Sequence, residues 1–222
     1  MFQLLEIERL KKEVSNIYNA EVEDEFISRV CSTIYESFSK AATYIIGELP
    51  YRKFDEPALR DTPSRFAKFM MERLQGEFVT NEQIAKLYGK VFPYEGSGEM
   101  VLVKDIECFS MCEHHIALMY NMKVSIAYIP KDNILGLSKF ARIVDIISKR
   151  LQTQEKMGKD IMEVLETVLP QVPILVQIKA EHSCMTSRGI QKPGTQTVTL
   201  HTNDLVSEEI KKEFFNLLEE KK

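Results

Sequence analysis

The sequence has few of the residues that mark several protein classes. In 222 residues there are no tryptophans, nine glycines and four cysteines. Neither a GxxxxGKS/T loop nor a complete GxGxxG is present, so a bound nucleotide would not use a glycine-rich phosphate loop. The cysteines are too few and too scattered for a secreted disulfide scaffold. We therefore expect a cytoplasmic protein, in which clustered cysteine and histidine more often indicate metal binding or catalysis.

Neither sign of charge dominates, and no long apolar run is present. Twenty-nine Lys and Arg residues oppose 33 Asp and Glu residues, which gives a net charge of −4. Such a balance provides no overall basic field for nucleic acid or an anionic membrane. No apolar run approaches the ~20 residues of a membrane span. With 44% hydrophobic residues, the composition is that of a globular protein with a sizeable core.

The hydrophobic pattern changes near residue 95. Apolar spacings of three and four predict helices before it, at 2–18, 23–47 and from the Asp61-Thr62-Pro63 segment to Gly76, with Thr62 as the cap. The first of these could instead be an arm that binds a partner. After residue 95 the order is ββααββ, with strands at 100–109, 120–130, 172–184 and 194–202, and helices at 138–151, 154–169 and from 207. We predict an α+β fold: a helical region (1–95) and a domain (96–222) whose antiparallel sheet has helices on one face.

Three of the four histidines and two of the four cysteines lie in two short segments, Cys-Glu-His-His at 112–115 and His-Ser-Cys at 182–184. Alternation along the third strand places His182 and Cys184 on its apolar face, where polar groups need partners. Thiolate and imidazole together suit zinc. Two cysteines and one histidine of the adjacent pair would leave the open position of a catalytic site, and the cytidine-deaminase pattern fits less well.

The choice of histidine follows from spacing. His115 stands three residues from Cys112, so a bend can bring both to one ion, and His114 and His182 are then available for proton transfer. The alternative is a buried cluster that merely joins two strands. Cys31 and Cys108 are expected to be small core residues, and His201 a strand residue with no functional role.

A second group of residues suits an anion. Ser138 is a candidate N-cap, and Lys139 and Arg142 lie in the first turns of its helix, where cations are unfavourable unless an anion is present. Arg188 adds a bidentate donor. A solvated charged face explains the same pattern. Glu155, after Gln154, could accept two hydrogen bonds from a guanine edge, or could simply be a glutamate favoured at a helix start.

These segments together resemble the GTP cyclohydrolase I family. The resemblance rests on Ser-Met-Cys-Glu-His-His (110–115), Tyr-Ile-Pro (128–130), Gly-Leu-Ser-Lys-x-x-Arg-Ile-Val (136–144), Arg-Leu-Gln-x-Gln-Glu (150–155) and His-x-Cys-Met-x-x-Arg-Gly-Ile (182–190). Asp-Thr-Pro-x-Arg-x-x-Lys (61–68) resembles the family's N-terminal signature. The resemblance implies a tunnelling fold, with ββααββ units in two stacked pentameric rings, and zinc-dependent conversion of GTP to formate and 7,8-dihydroneopterin triphosphate for folate or other pterin synthesis.

The resemblance also implies roles for individual residues. The zinc ligands would be Cys112, His115 and Cys184. His114 and His182 would transfer protons, with Ser138 beside the sugar. Substrate contacts would come from Glu155 on guanine, Gln154 near the ribose, and Lys139, Arg142, Arg188, Arg65 and Lys68 on the triphosphate, the last two from a neighbouring subunit.

The chain departs from the family pattern at three places, residues 116–122, 200–206 and 51–60. The family usually has Pro-Phe and Gly in the first, a Ser/Thr-rich run ending in Gly-x-Phe in the second, and Arg-x-Gly-Leu in the third. None of these departures removes a matched ligand. Two other readings are a related tunnelling-fold enzyme acting on another purine or pterin, and a zinc-stabilised ring protein without catalysis.

Overall fold

The computed structural model describes residues 24–50, 57–96 and 98–219. The helix predicted at 2–18 lies outside these residues. The described chain divides into two compact units, with the boundary between Val79 and Thr80. No described helix has the length and apolar character that a bilayer span requires.

The first unit is helical. It consists of α1 (Asp24–Gly47), α2 (Pro57–Arg60), α3 (Thr62–Arg73) and a 3₁₀ turn (Gln75–Phe78). Helices α1 and α3 share an apolar core that includes Cys31, as predicted, and Met71. The predicted cap is wrong: Asp61 occupies the N-cap and Thr62 is the first helical residue. The Thr62 hydroxyl instead donates to the carbonyl of Ala58 at 3.4 Å.

The second unit begins earlier than the change in hydrophobic pattern suggests. It consists of α4 (Asn81–Tyr88), β1 (Val91–Pro93), β2 (Val101–Cys112), β3 (Ala117–Tyr128), β4 (Asn133–Leu135), α5 (Leu137–Ser148), β5 (Leu151–Gln152), α6 (Gln154–Val168), β6 (Ile174–His182), α7 (Ser183–Thr186), β7 (Gln196–Thr202) and α8 (Glu208–Glu219). Helix α4 belongs here because Asn81 accepts from Arg150 at 2.8 Å and donates to Glu163 at 3.0 Å.

The main sheet has five strands in the order β5-β2-β3-β6-β7, antiparallel except for β5 beside β2. Strands β1 and β4 form a separate antiparallel pair. Helix α6 packs against β6 and β7. Helix α8 packs through Phe214 on Ala127 and Leu175, and Leu175 faces away from its neighbour Val176. The sheet is therefore covered on both faces, not on one as predicted.

Candidate metal centre and active site

Two strand ends bring the predicted metal-binding segments together. Strand β2 ends at Cys112, and a four-residue turn returns the chain into β3, which pairs with β6 through Met119 and His182. Strand β6 ends at His182, and Cys184 lies on the short helix α7, not on the strand as predicted. The ligand atoms of Cys112, His182 and Cys184 all lie within 4.8 Å of one another. Convergence of these segments is therefore seen, although the predicted strand geometry is wrong.

A hydrogen-bonded group fixes α7 to the sheet. The Tyr120 hydroxyl lies 2.9 Å from Oγ1 of Thr186 and 3.2 Å from Oε2 of Glu181. Glu181 also accepts from Asn121 at 2.9 Å and from the Gly194 amide at 3.3 Å. The Asn121 bond is the main cause of a lowered pKa of Glu181. Sequence reasoning missed this group, because an alternating strand pattern does not reveal which polar residues meet.

The hydrogen bonds of Gln154 determine the tautomer of His182. The Gln154 amide nitrogen donates to the carbonyls of Ile178 and Thr197, at 3.0 and 3.3 Å, so its oxygen faces His182. That oxygen lies 2.9 Å from Nε2 of His182. Because an amide oxygen only accepts, Nε2 carries the hydrogen, and Nδ1 holds the lone pair of the neutral ring. Burial lowers the pKa of His182, and the charge of Glu155 opposes part of this effect. The lowered pKa favours the neutral form of the ring.

The two histidines of the turn have different partners. Nδ1 of His114 lies 3.6 Å from Sγ of Cys112. Nε2 of His115 lies 2.8 Å from the Arg188 guanidinium, and since arginine can only donate, this nitrogen is an acceptor. His115, the third ligand expected from the sequence, is thus not in the group of three residues that the structure brings together, whereas His182 is.

The two thiols are electrostatically suited to a cation. Burial and the proximity of Cys112 raise the pKa of Cys184, and Arg188 opposes the rise. The Cys184 thiol would therefore lose its proton when a metal cation binds beside it. Two sulfurs and an imidazole form a donor set that suits zinc. Cys108, by contrast, is half-buried in the middle of β2 and lies outside the group.

The predicted anion contacts lie on α5 and after α7. Helix α5 begins at Leu137 with Gly136 at its N-cap, so the prediction that Ser138 caps it is wrong. The Lys139 ammonium lies 6.0 Å from the centre of the Tyr88 ring, and Arg142 is exposed. In the first unit, Arg65 donates to the Ala58 carbonyl at 2.9 Å, and Lys68 is half-buried.

The residues predicted to contact guanine and the ribose, Glu155 and Gln154, lie at the start of α6. Thr153 caps this helix by accepting from the Lys156 amide at 3.1 Å. Glu155 is exposed in the first turn. Gln154 is only 1% exposed, so its amide is committed to the sheet and to His182 in this structure, and not to the surface where a sugar would lie.

Comparison with known proteins gives consistent matches. The profile described as GTP cyclohydrolase I matches residues 38–219. A GTP cyclohydrolase 1 from Clostridium acetobutylicum is 51% identical over 150 residues, covering 66% of this chain and 77% of the relative. One from Clostridium botulinum strain Langeland is 48% identical over 159 residues, covering 69% and 79%. One from Clostridium beijerinckii is 47% identical over 175 residues, covering 74% and 87%.

Proposed function

The chain belongs to the GTP cyclohydrolase I family of enzymes, and on that premise we propose that it opens the imidazole ring of GTP by hydrolysis at C8. The products would be formate and 7,8-dihydroneopterin triphosphate, which enters folate or other pterin synthesis in the cytoplasm. The observation that carries the proposal is the convergence of Cys112, His182 and Cys184 within 4.8 Å.

The residues fit a zinc ion. We propose Cys112, Cys184 and His115 as its ligands, the set that matches the family's motif. In this structure the lone pair of His115 Nε2 accepts from Arg188, so that hydrogen bond would be released when the ion binds. When bound with three protein ligands, zinc lowers the pKa of a water at the open position to about 7. His182 is then available for proton transfer and does not bind the metal.

The side chains around the metal ligands divide the remaining work. His182 accepts a proton at Nδ1, the lone-pair nitrogen that Gln154 leaves free. His114, beside Cys112, is the second proton carrier. The exposed Glu155 carboxylate accepts from the N–H and NH₂ of the guanine edge. The remaining contacts are Ser138 toward the ribose, and Lys139, Arg142 and Arg188, with Arg65 and Lys68 of a neighbouring subunit, toward the triphosphate. Gln154, expected near the ribose from the sequence, is buried and holds His182 instead.

The test is turnover of GTP by the zinc-loaded protein. We expect formate and, after oxidation, a fluorescent pterin in equal amounts. Turnover should cease when a chelator removes the metal and return when zinc is restored. A His114→Ala variant should keep its zinc and lose turnover by roughly 10²- to 10⁴-fold, the usual contribution of general acid–base catalysis. A zinc-loaded native assembly that forms no product from GTP would contradict the proposal.

A further inference from the structure

His201, on β7, has an unusual environment. Its Nε2 atom is buried, and among the described residues it has no hydrogen-bond partner. A buried imidazole nitrogen without a partner is costly. The residue lies in the 200–206 segment, where the chain departs from the family pattern, and the proposed mechanism does not use it.

Gly158 makes room for this ring. Strand residues 197, 199 and 201 face α6, and Gly158 lies on the helix surface opposite His201. A Cβ added at Gly158 would lie 2.2 Å from Cδ2 and 2.3 Å from Nε2 of His201. Such distances exclude any side chain at position 158 while the ring stays in place. The close approach of the histidine therefore explains the glycine, which stands in a helix interior where alanine would otherwise be more favourable.

The ring lies next to Glu155. Residues three apart on a helix are neighbours on one surface, so Gly158 is directly adjacent to Glu155. Both Glu155 and His201 line an open cleft of about 650 Å³. The Glu155 charge also raises the pKa of His201, against the larger lowering caused by burial.

Glu155 is the uncommitted acid of this cleft. Asp160 is paired with Arg150 and Lys156, each at 2.7 Å, and Glu163 accepts from Asn81 at 3.0 Å. Within the described part of the chain, no hydrogen bond reaches the Glu155 carboxylate. One cleft thus contains a carboxylate without a donor and an imidazole nitrogen without a partner.

We propose that His201 is a positioning residue for Glu155: when the guanine edge binds, the imidazole N–H of His201, admitted by Gly158, donates to the Glu155 carboxylate and orients it. This inference rests on the proposed function, because it assigns the cleft to the base of GTP. It concerns residues of this chain in a segment where the family pattern is not followed. Loss of the imidazole should weaken recognition of guanine without affecting the chemistry at the metal.

The experiment compares GTP with inosine triphosphate, whose base lacks the amino group that the second oxygen of Glu155 would bind. In His201→Ala, we expect the ratio of kcat/KM for GTP to that for inosine triphosphate to fall about tenfold, as for the loss of one hydrogen bond to a charged group. The fall should come from KM for GTP, with kcat within about threefold. His201→Gln, which keeps an N–H near the Nε2 position, should restore most of the ratio.

A double-mutant cycle separates positioning from packing. Gly158→Ala should displace the ring and lower the ratio as His201→Ala does, and the double variant should lower it no further. Glu166→Ala, at an exposed position farther along α6, is the matched control and should leave the ratio unchanged. The midpoint of thermal unfolding, measured for each variant, shows whether a substitution has damaged the fold.

The outcomes distinguish the two proposals. If the wild-type protein converts GTP and His201→Ala leaves the ratio unchanged, or lowers kcat for both substrates equally, the role of His201 is overturned and the proposed function stands. Equal losses in the Ala and Gln variants would also overturn it. If the wild-type protein converts neither nucleotide, both proposals are overturned together.

Discussion

At the scale of single residues, the chemistry of the site depends on which nitrogen carries a proton. Gln154 settles this for His182, because two backbone carbonyls hold its amide nitrogen and turn its oxygen toward Nε2. The sequence identifies Gln154 and His182 only as separate candidate site residues. It does not show that a helix start and a strand end place them 2.9 Å apart.

Replacing Gln154 by Ala should affect both stability and turnover. Two buried carbonyls lose their donor, which costs about 1–3 kcal/mol of unfolding free energy, and His182 loses the partner that fixes its tautomer. We expect kcat to fall at least tenfold at saturating GTP, with zinc content unchanged. Denaturant unfolding and steady-state kinetics measure the two effects. Gln154→Glu, which keeps an acceptor toward His182, should retain more activity; equal losses in both variants would contradict the positioning role.

A paired substitution tests the proposal that His115 is the third zinc ligand. His115→Ala should remove most of the bound zinc, because two thiolates alone hold the ion poorly. His182→Ala should keep the zinc and lose turnover by roughly 10²- to 10⁴-fold. Metal analysis after dialysis, together with GTP turnover, measures both. The reverse pattern of zinc loss would assign the metal to the three residues that the structure brings together, Cys112, His182 and Cys184.

At the scale of elements, most helices and strands follow from periodicity. The helix expected at 154–169 is seen at Gln154–Val168, and the strand expected at 120–130 at Ala117–Tyr128. Short elements were missed, among them β4 and β5, because three or two residues contain no period. The alternation of the preceding residues predicts strand through Cys184, but residues 183–186 form helix α7, which Thr186 joins to Tyr120 on β3 by a 2.9 Å hydrogen bond. The two segments that could hold a metal ion are predictable from composition, but their local geometry is not.

The Tyr120 hydroxyl attaches α7 to the sheet, and this attachment should contribute to metal affinity. Tyr120→Phe removes the hydroxyl that links Thr186 to Glu181, so the helix that carries Cys184 loses an anchor. Because outer contacts of this kind commonly contribute 10- to 100-fold to metal affinity, we expect a loss of that size in competition with a chelator. Tyr44→Phe, on the exposed surface of α1, is the matched control. Unchanged zinc affinity in Tyr120→Phe would show that α7 holds its position without this hydroxyl.

At the scale of the whole molecule, the main sheet formed by the described residues is open at both edges. Strand β7 has β6 as its only neighbour within the described chain, and β2 pairs with β5 only at Met111 and Cys112. Exposed edges of this length favour pairing with another chain. Apolar side chains such as Phe109 on β2 and Val198 on β7 are also exposed beside these edges. Closure of the sheet between subunits is the arrangement that the family resemblance implies.

We therefore expect light scattering to give a particle of ten 25.7-kDa chains. Phe109→Asp places a charge on an exposed apolar side chain near the open part of β2, where a joined subunit would have to desolvate it. This variant should shift the particle toward smaller species and lose GTP turnover, because triphosphate contacts from a neighbouring subunit would be absent. Phe92→Asp is the matched control, since Phe92 is similarly exposed but lies on β1, outside the main sheet. A monomer that turns over GTP at the wild-type rate would contradict both the ring and the shared site.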